Sequence, residues 1–181
     1  MRKFLFAAAT TLLALPTYAD NLKGFYAGAG LDFIDGNTTD AAGNNVDFRA
    51  VEFHGGYKHN SWLGGELRVG LGLSGENFAV SNGTDVFDVD VSIDHFETLY
   101  YRAESTNAVA KLYGLLGYTN IQTSSKLGDA SVSASESGPS YGFGVGFVMN
   151  EDANLNFEYR QIINKDSAEF TALTVSFDYR F

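Results

Sequence analysis

The chain has no cysteine, two prolines and one tryptophan in 181 residues. Without cysteine there is no disulfide scaffold, Cys-ligated zinc, iron–sulfur cluster or thiol nucleophile. Cations are scarce: 12 Lys and Arg against 22 Asp and Glu leave a formal charge of −10. That balance argues against nucleic acid, whose binding is driven by Lys and Arg displacing counterions from phosphates. After Leu15 no apolar run approaches the ~20 residues that a membrane-spanning helix needs. What is abundant is glycine, at 20 residues, and aromatics, at 15 Phe and 10 Tyr. Such a profile leans towards an all-β protein.

The N-terminus reads as an address. Met1-Arg2-Lys3 supplies positive charge, Phe4 to Leu15 an apolar run, and Thr17-Tyr18-Ala19 a small-residue cleavage site before Asp20. Residues 1–19 are therefore expected to be a secretory signal peptide handled by the Sec pathway, with residues 20–181 forming one mature domain. Loss of Arg2 and Lys3 takes the formal charge from −10 to −12.

From Gly24 onwards apolar residues recur with a period of two, the strand period, in segments of about ten residues. At the C-terminus Leu173, Val175, Phe177, Tyr179 and Phe181 share one face, opposite Thr174, Ser176, Asp178 and Arg180. Leu155, Phe157 and Tyr159 likewise oppose Asn156, Glu158 and Arg160, and Leu67, Val69 and Leu71 oppose Glu66, Arg68 and Gly70. Val51, Phe53 and Tyr57 oppose Glu52, His54 and Lys58. Near Asp94-His95 the phase slips as a β-bulge would cause. The reading gives eight strands. His59-Asn60-Ser61, Ser105-Thr106-Asn107 and Asn150-Glu151-Asp152 form tight turns, whereas Ile34 to Asp47, Gly75 to Asp85, Thr123 to Ser137 and Ile163 to Ala168 read as longer acidic loops. A meander with one smooth and one ragged rim closes naturally into a barrel, because closure removes unpaired edges.

Alternation does not say which face is outside; the polar face does. It mixes glycines with closely spaced opposite charges: Glu66 with Arg68, Glu158 with Arg160, Asp178 with Arg180. An eight-stranded bore is just wide enough to be filled by side chains, and small residues beside paired ions suit it. Trp62, Tyr118, Tyr159, Tyr179 and Phe181, near strand ends, suit the two membrane interfaces. The fold class expected is an all-β, eight-stranded antiparallel up-and-down transmembrane barrel, apolar outside and ionic within.

The leader, the opening Gly24-Phe25-Tyr26-Ala27-Gly28-Ala29-Gly30-Leu31, Leu116-Gly117-Tyr118 and the terminal Phe177-Asp178-Tyr179-Arg180-Phe181 together resemble small eight-stranded outer-membrane proteins of the OmpA and OmpX type. The resemblance spans the mature chain. It implies residence in the outer membrane of a Gram-negative cell. It also implies that Phe177, Tyr179 and Phe181 form a signal read by the barrel assembly machinery. A separate peptidoglycan-binding domain of that family is not expected, since the chain ends on its last strand.

Three motif matches carry less than they promise. Gly70-Leu71-Gly72-Leu73-Ser74-Gly75 fits a dinucleotide pattern, which works only ahead of a helix, and a polar loop is expected instead. Gly138-Pro139-Ser140-Tyr141-Gly142 fits a hydrolase elbow, but His54, His59 and His95 all precede Ser140. Asp88, Asp90, Ser92 and Asp94 open like a calcium loop, yet Ile93 and Leu99 stand where Gly and Glu are needed. Carboxylates at Asp35, Asp40, Asp47, Glu76 and Asp85 offer a weaker route to divalent cations bridging lipopolysaccharide. Ser92, His95 and Glu97 are the best enzyme candidates, on the analogy of lipid A-modifying barrels.

The residues singled out are Glu52, Glu66, Arg68, Glu158, Arg160, Asp178 and Arg180, expected to form an architectural charge network in the lumen. The function expected is non-enzymatic, without cofactor or metal, structural or surface-interacting through acidic extracellular loops. Expected partners are outer-membrane lipid, lipopolysaccharide, the assembly machinery and a host surface or phage, with the protein itself a monomer. Competing readings are a porin-like pore, disfavoured because eight strands leave no aqueous channel, a lipid A-modifying enzyme and a soluble periplasmic lipocalin-like carrier.

Overall fold

A computed structural model describes residues 23–38, 45–81, 86–106, 108–127, 130–150, 152–165 and 168–181. The signal peptide at 1–19 and the mature start at Asp20 lie outside these residues. The strands are β1 (Gly24–Thr38), β2 (Asn45–Lys58), β3 (Leu63–Ser74), β4 (Glu76–Ser81), β5 (Val86–Thr106), β6 (Ala110–Leu127), β7 (Ala130–Val148), β8 (Ala153–Lys165) and β9 (Ala168–Arg180). Every chain neighbour pairs antiparallel except β3 with β4, which lie end to end. Both pair with β5, through Leu71↔His95 and then Glu76↔Val91. They form one stave broken at Gly75, so nine segments make eight staves. Pairing of β1 with β9 and of β3 with β5 closes the cylinder.

The bulge foreseen at Asp94-His95 is present, as a register shift between Ile93 and His95. It exchanges the faces of β5. Above it Ile93 points inwards, and below it Phe96, Thr98, Tyr100, Arg102 and Glu104 do. At two of the tight turns an asparagine does the same job: Asn60 Oδ1 accepts from Leu63 N at 2.8 Å, and Asn150 Oδ1 from Ala153 N at 2.8 Å. Each satisfies a backbone donor that a short turn leaves without a ladder partner.

Phe25, Leu31, Phe53, Leu67, Leu99 and Phe177 are 48 to 62% exposed, while Glu158 is 2% and Arg180 4%. Grease is outside and charge within. In β1 the apolar band runs from Phe25 to Phe33, nine residues, and gives way to Asp35. In β5 and β6 it stops between Leu99 and Glu97, and between Tyr118 and Asn120. Nine residues fit the ~9 to 11 that a tilted strand needs to cross hydrocarbon. Trp62 and Tyr179 stand at the smooth rim and Tyr118 and Tyr159 nearer the ragged one, all 45 to 58% exposed.

The structure corrects two expectations. First, much of the supposed loops is strand. The β6–β7 ladder continues without a register shift to Leu127↔Ala130, through what was read as a loop from Thr123 to Ser137, and β1–β2 continues to Asn37↔Asn45. In the outer part of β7, Ser131 to Ser135 are exposed on both faces, so Ser replaces the alternation while the backbone continues to pair. Second, ions fill only part of the bore. Towards the ragged rim Ile34, Val46, Phe48, Ile93, Phe96 and Phe170 belong to a buried apolar cluster inside the barrel.

Candidate functional site: the charged bore

Alternation places one side chain in two on the inner wall, and closure brings distant staves face to face. Twelve ionisable side chains with carboxylate, ammonium or guanidinium groups are buried there. The acids are Asp32, Glu52, Glu66, Glu104, Glu158 and Asp178, and the bases Lys58, Arg68, Arg102, Lys111, Arg160 and Arg180. Six balance six, so the described lumen is neutral with His54 uncharged. Removing an ion from water costs several kcal/mol even after relaxation, and a balanced, hydrogen-bonded set is the arrangement that tolerates it.

Arg68 is the hub. Its guanidinium donates from Nε to Glu66 at 2.5 Å, from Nη1 to Glu52 at 2.9 Å and to Glu158 at 2.7 Å, and from Nη2 to Glu158 at 3.1 Å. Glu66 also accepts from Tyr26 OH at 2.6 Å and Arg102 Nη1 at 2.9 Å, and Glu158 from Tyr113 OH at 2.6 Å. Towards the ragged rim Arg160 donates to Asp32 at 2.7 Å and Thr174 at 2.9 Å, with Glu52 at 2.8 Å from its Nη1. Towards the smooth rim Lys58 pairs with Glu104, which also meets Arg102 at 3.1 Å and Arg180 at 3.3 Å. Asp178 is held by Lys111 at 2.9 Å, Asn154 at 2.7 Å and Asn156 at 2.8 Å. The Arg102 guanidinium lies 3.7 Å from the Tyr113 ring centroid.

Glycine makes room for these long groups. A Cβ at Gly56 would strike the Tyr26 ring, one at Gly144 the Tyr113 ring, one at Gly142 Arg160 and one at Gly70 the Phe96 ring. Large and small residues thus interlock across the wall.

All seven residues singled out in sequence lie in this bore. Glu66 meets Arg68, and Glu158 lies 3.6 Å from Arg160 Nε, as neighbours in sequence were paired. Asp178 and Arg180 instead reach across, to Lys111 and to Glu104. Asp32, Lys58, Arg102, Glu104 and Lys111 complete the network and were not singled out. The signal for Arg102 and Glu104 was the bulge, which sets the parity of β5 below His95.

The other candidates stay apart. His95 Nε2 lies 3.9 Å from Glu97 Oε1 on the outer surface, and among the described residues no hydrogen bond joins Ser92 to His95. Ser140 is buried in β7, bonded to Tyr100 OH at 2.5 Å and Gln161 O at 2.9 Å, with no helix following. Gly70 to Ser74 lies in β3, and β4 follows Gly75. Among the described residues no three His, Cys, Asp or Glu side chains are grouped to hold a metal ion; Asp40 and Asp85 lie outside those residues.

The ragged rim carries a different balance. Among the residues whose side chains are described, Asp35, Asp47, Glu76, Asp90, Asp94, Glu97, Glu136 and Glu169 accompany Arg49, Lys126 and Lys165 there, eight carboxylates against three cations. Asp35 and Asp47 are register partners above the apolar band. Partial burial, then a hydrogen bond and charge repulsion from Asp47, raise the Asp35 carboxyl above the ordinary 3.8. The folded chain therefore binds this proton more readily than the unfolded one. The resulting stabilisation is complete below the unfolded value and is lost as pH rises through the folded one. A carbon-detected titration is expected to place the Asp35 midpoint above 3.8, and Asp47→Asn to bring it down. A midpoint indifferent to Asp47 would contradict the pairing.

The outer membrane protein beta-barrel domain matches residues 5–181. The chain belongs to that family. Its solved relatives agree in fold. Ail, the attachment invasion locus protein of Yersinia pestis, is 17% identical, with 88% of this chain and 100% of that one covered and a TM-score of 0.65. Neisserial surface protein A is 14% identical, with 87% and 97% covered and a TM-score of 0.66. OprG of Pseudomonas aeruginosa is 16% identical, with 91% and 99% covered and a TM-score of 0.59. No curated protein sequence matches the chain. This is an outer-membrane barrel.

Proposed function

We propose that the protein is a non-enzymatic, monomeric component of the Gram-negative envelope that presents an acidic extracellular rim, and that its bore is a seal. In this reading residues 1–19 are a Sec signal peptide removed before residues 20–181 fold. Glu52, Glu66, Arg68, Glu158, Arg160, Asp178 and Arg180 are architectural, and Phe177, Tyr179 and Phe181 address the chain to the barrel assembly machinery. The observation that carries the seal is a neutral twelve-member ion network beneath an apolar plug, with Arg68, Arg160 and Phe96 each 0% exposed. Water and ions have no continuous polar path through such a stack. Purified protein in planar bilayers is expected to give no stable ohmic openings; reproducible ones would revive a pore.

Ail has been solved in complex with sucrose octasulfate, a heparin analogue. A surface role for this chain is in keeping with that relative, but a polysulfate has the wrong sign for a rim of eight carboxylates and three cations. Cationic partners fit better, whether on a host surface or a phage, and contact with anionic lipopolysaccharide falls to the lipid-facing belt rather than to this rim.

A further inference from the structure

Near the smooth rim the lipid-facing wall carries rings that stack in pairs. Phe25 lies 4.7 Å from Tyr57, Phe147 6.2 Å from Phe157 and Tyr179 5.4 Å from Phe181, centroid to centroid. On β5 and β6 this paving is interrupted. Ala103 and Gly114 are register partners there, both facing outwards, and they floor an open pit of about 490 Å³. Trp62 stands on one side of it and Phe143, the β7 partner of Gly114, on the other, 58% and 66% exposed. The backbone holds Trp62 in place, its carbonyl accepting from Glu104 N at 2.8 Å. Ser105 and Leu112, the next outward pair, lie at the foot of the pit towards the smooth rim.

Neither the backbone nor packing within the barrel demands a glycine at 114. A Cβ there would meet nothing nearer than Gly142 O at 4.0 Å, whereas one at Gly56, Gly142 or Gly144 would strike a side chain of the bore. A larger residue would fit, and would fill the pit. The walls are apolar except for two donors, the Trp62 indole N–H and the Ser105 hydroxyl. Among the described residues neither has a hydrogen-bond partner in the chain. An apolar hollow with a few placed polar groups has the form of a small-molecule site. We propose that this pit binds one glycerophospholipid, its acyl chain lying over Ala103 and Gly114 and its ester carbonyl accepting from Trp62 Nε1 and Ser105 Oγ.

The pit opens from the apolar band, so its occupant comes from the bilayer. Covering it there brings no hydrophobic gain, because lipid tails are themselves apolar; close packing and hydrogen bonds decide what stays. An indole and a hydroxyl at the edge of the band suit the ester layer, where one end of a tryptophan is apolar and the other wants an acceptor. The charge at the foot narrows the headgroup. Lys58 and Lys111, on β2 and β6, turn into the bore and pair with Glu104 and Asp178, so residues 60–63 and 103–106 expose no lysine or arginine. A zwitterionic headgroup needs no countercharge, whereas a polyphosphorylated lipid does.

Trp62 is the sole tryptophan, so its emission reports occupancy directly. Single barrels are placed in nanodiscs of a diether phosphatidylcholine, with increasing fractions of a diester phosphatidylcholine brominated on its acyl chains, which quenches an indole on contact. Half-maximal quenching is expected at a mole fraction roughly threefold below that of random mixing, a shift of the size one net hydrogen bond supports. A brominated diether lipid is expected to follow random mixing. Ser105→Ala and, separately, Gly114→Leu are expected to return the diester curve to random mixing, while Ala29→Leu, on the lipid-facing side of β1, leaves it unchanged. If Gly114→Leu does not fold, Ser105→Ala alone decides. Random mixing of the diester lipid around the unaltered chain would mean contact with bulk lipid only and overturn the proposal. So would an enrichment that survives Ser105→Ala. The readout is the same whichever rim faces the cell exterior, so it stands apart from the surface-interaction reading.

Discussion

Arg68→Met is expected to lower stability in detergent by ~3–5 kcal/mol, the cost of leaving buried charges without their partner, read as a large fall in thermal midpoint. Arg68 holds Glu52, Glu66 and Glu158 at once, which come from β2, β3 and β8, while Arg102 and Arg160 reach the same carboxylates from the other side. Without it those carboxylates repel one another in a dry bore. Arg68→Lys is not expected to repair the loss, since one ammonium does not reproduce a planar fork with five donors. Adding Glu158→Gln to Arg68→Met is expected to recover part of it, because the second change removes one stranded charge. Arg160→Ala should show the same pattern with Asp32 and Glu52. A midpoint unmoved by Arg68→Met would mean that water reaches these groups and that the network does not seal the bore.

The second large effect is expected in the apolar half. Phe96 is fully buried in the plug and its ring fills the space above Gly70. Phe96→Ala is expected to cost ~3–5 kcal/mol through lost contacts and the cavity left behind. Gly70→Val alone should also destabilise, because its side chain would enter the Phe96 ring. Combined with Phe96→Ala, it occupies the vacated volume, so the double variant is expected to be more stable than the sum of the two losses predicts. Simple additivity in denaturant unfolding would show that the two positions do not share one space.

The apolar band and its period were legible in the chain because hydrocarbon demands grease on every second residue. The bulge at Asp94-His95 was legible for the same reason: a change of parity shows only where one face is marked. The extended hairpin of β6 and β7 was not. Ser125, Lys126 and the run from Ser131 to Ser137 are buried on neither face, so Ser recurs there without a period and looks like a loop. The apolar plug lay half in view. Ile34 shares the parity of Asp32, Phe48 and Ala50 that of Glu52, and Phe170 and Ala172 that of Thr174, but these positions sat inside presumed loops or beside polar neighbours. Long-range pairs such as Lys58 with Glu104 and Lys111 with Asp178 required the closed cylinder, since the order of staves, not spacing along the chain, sets who faces whom.

Arg68 and Glu158 stand 90 residues apart and meet across the bore. Neither finds the other until the sheet has curled round on itself, whereas Glu66 with Arg68 and Arg102 with Glu104 sit on single strands and can meet earlier. Shutting the cylinder is thus the step that quenches the charges left over from these local pairs.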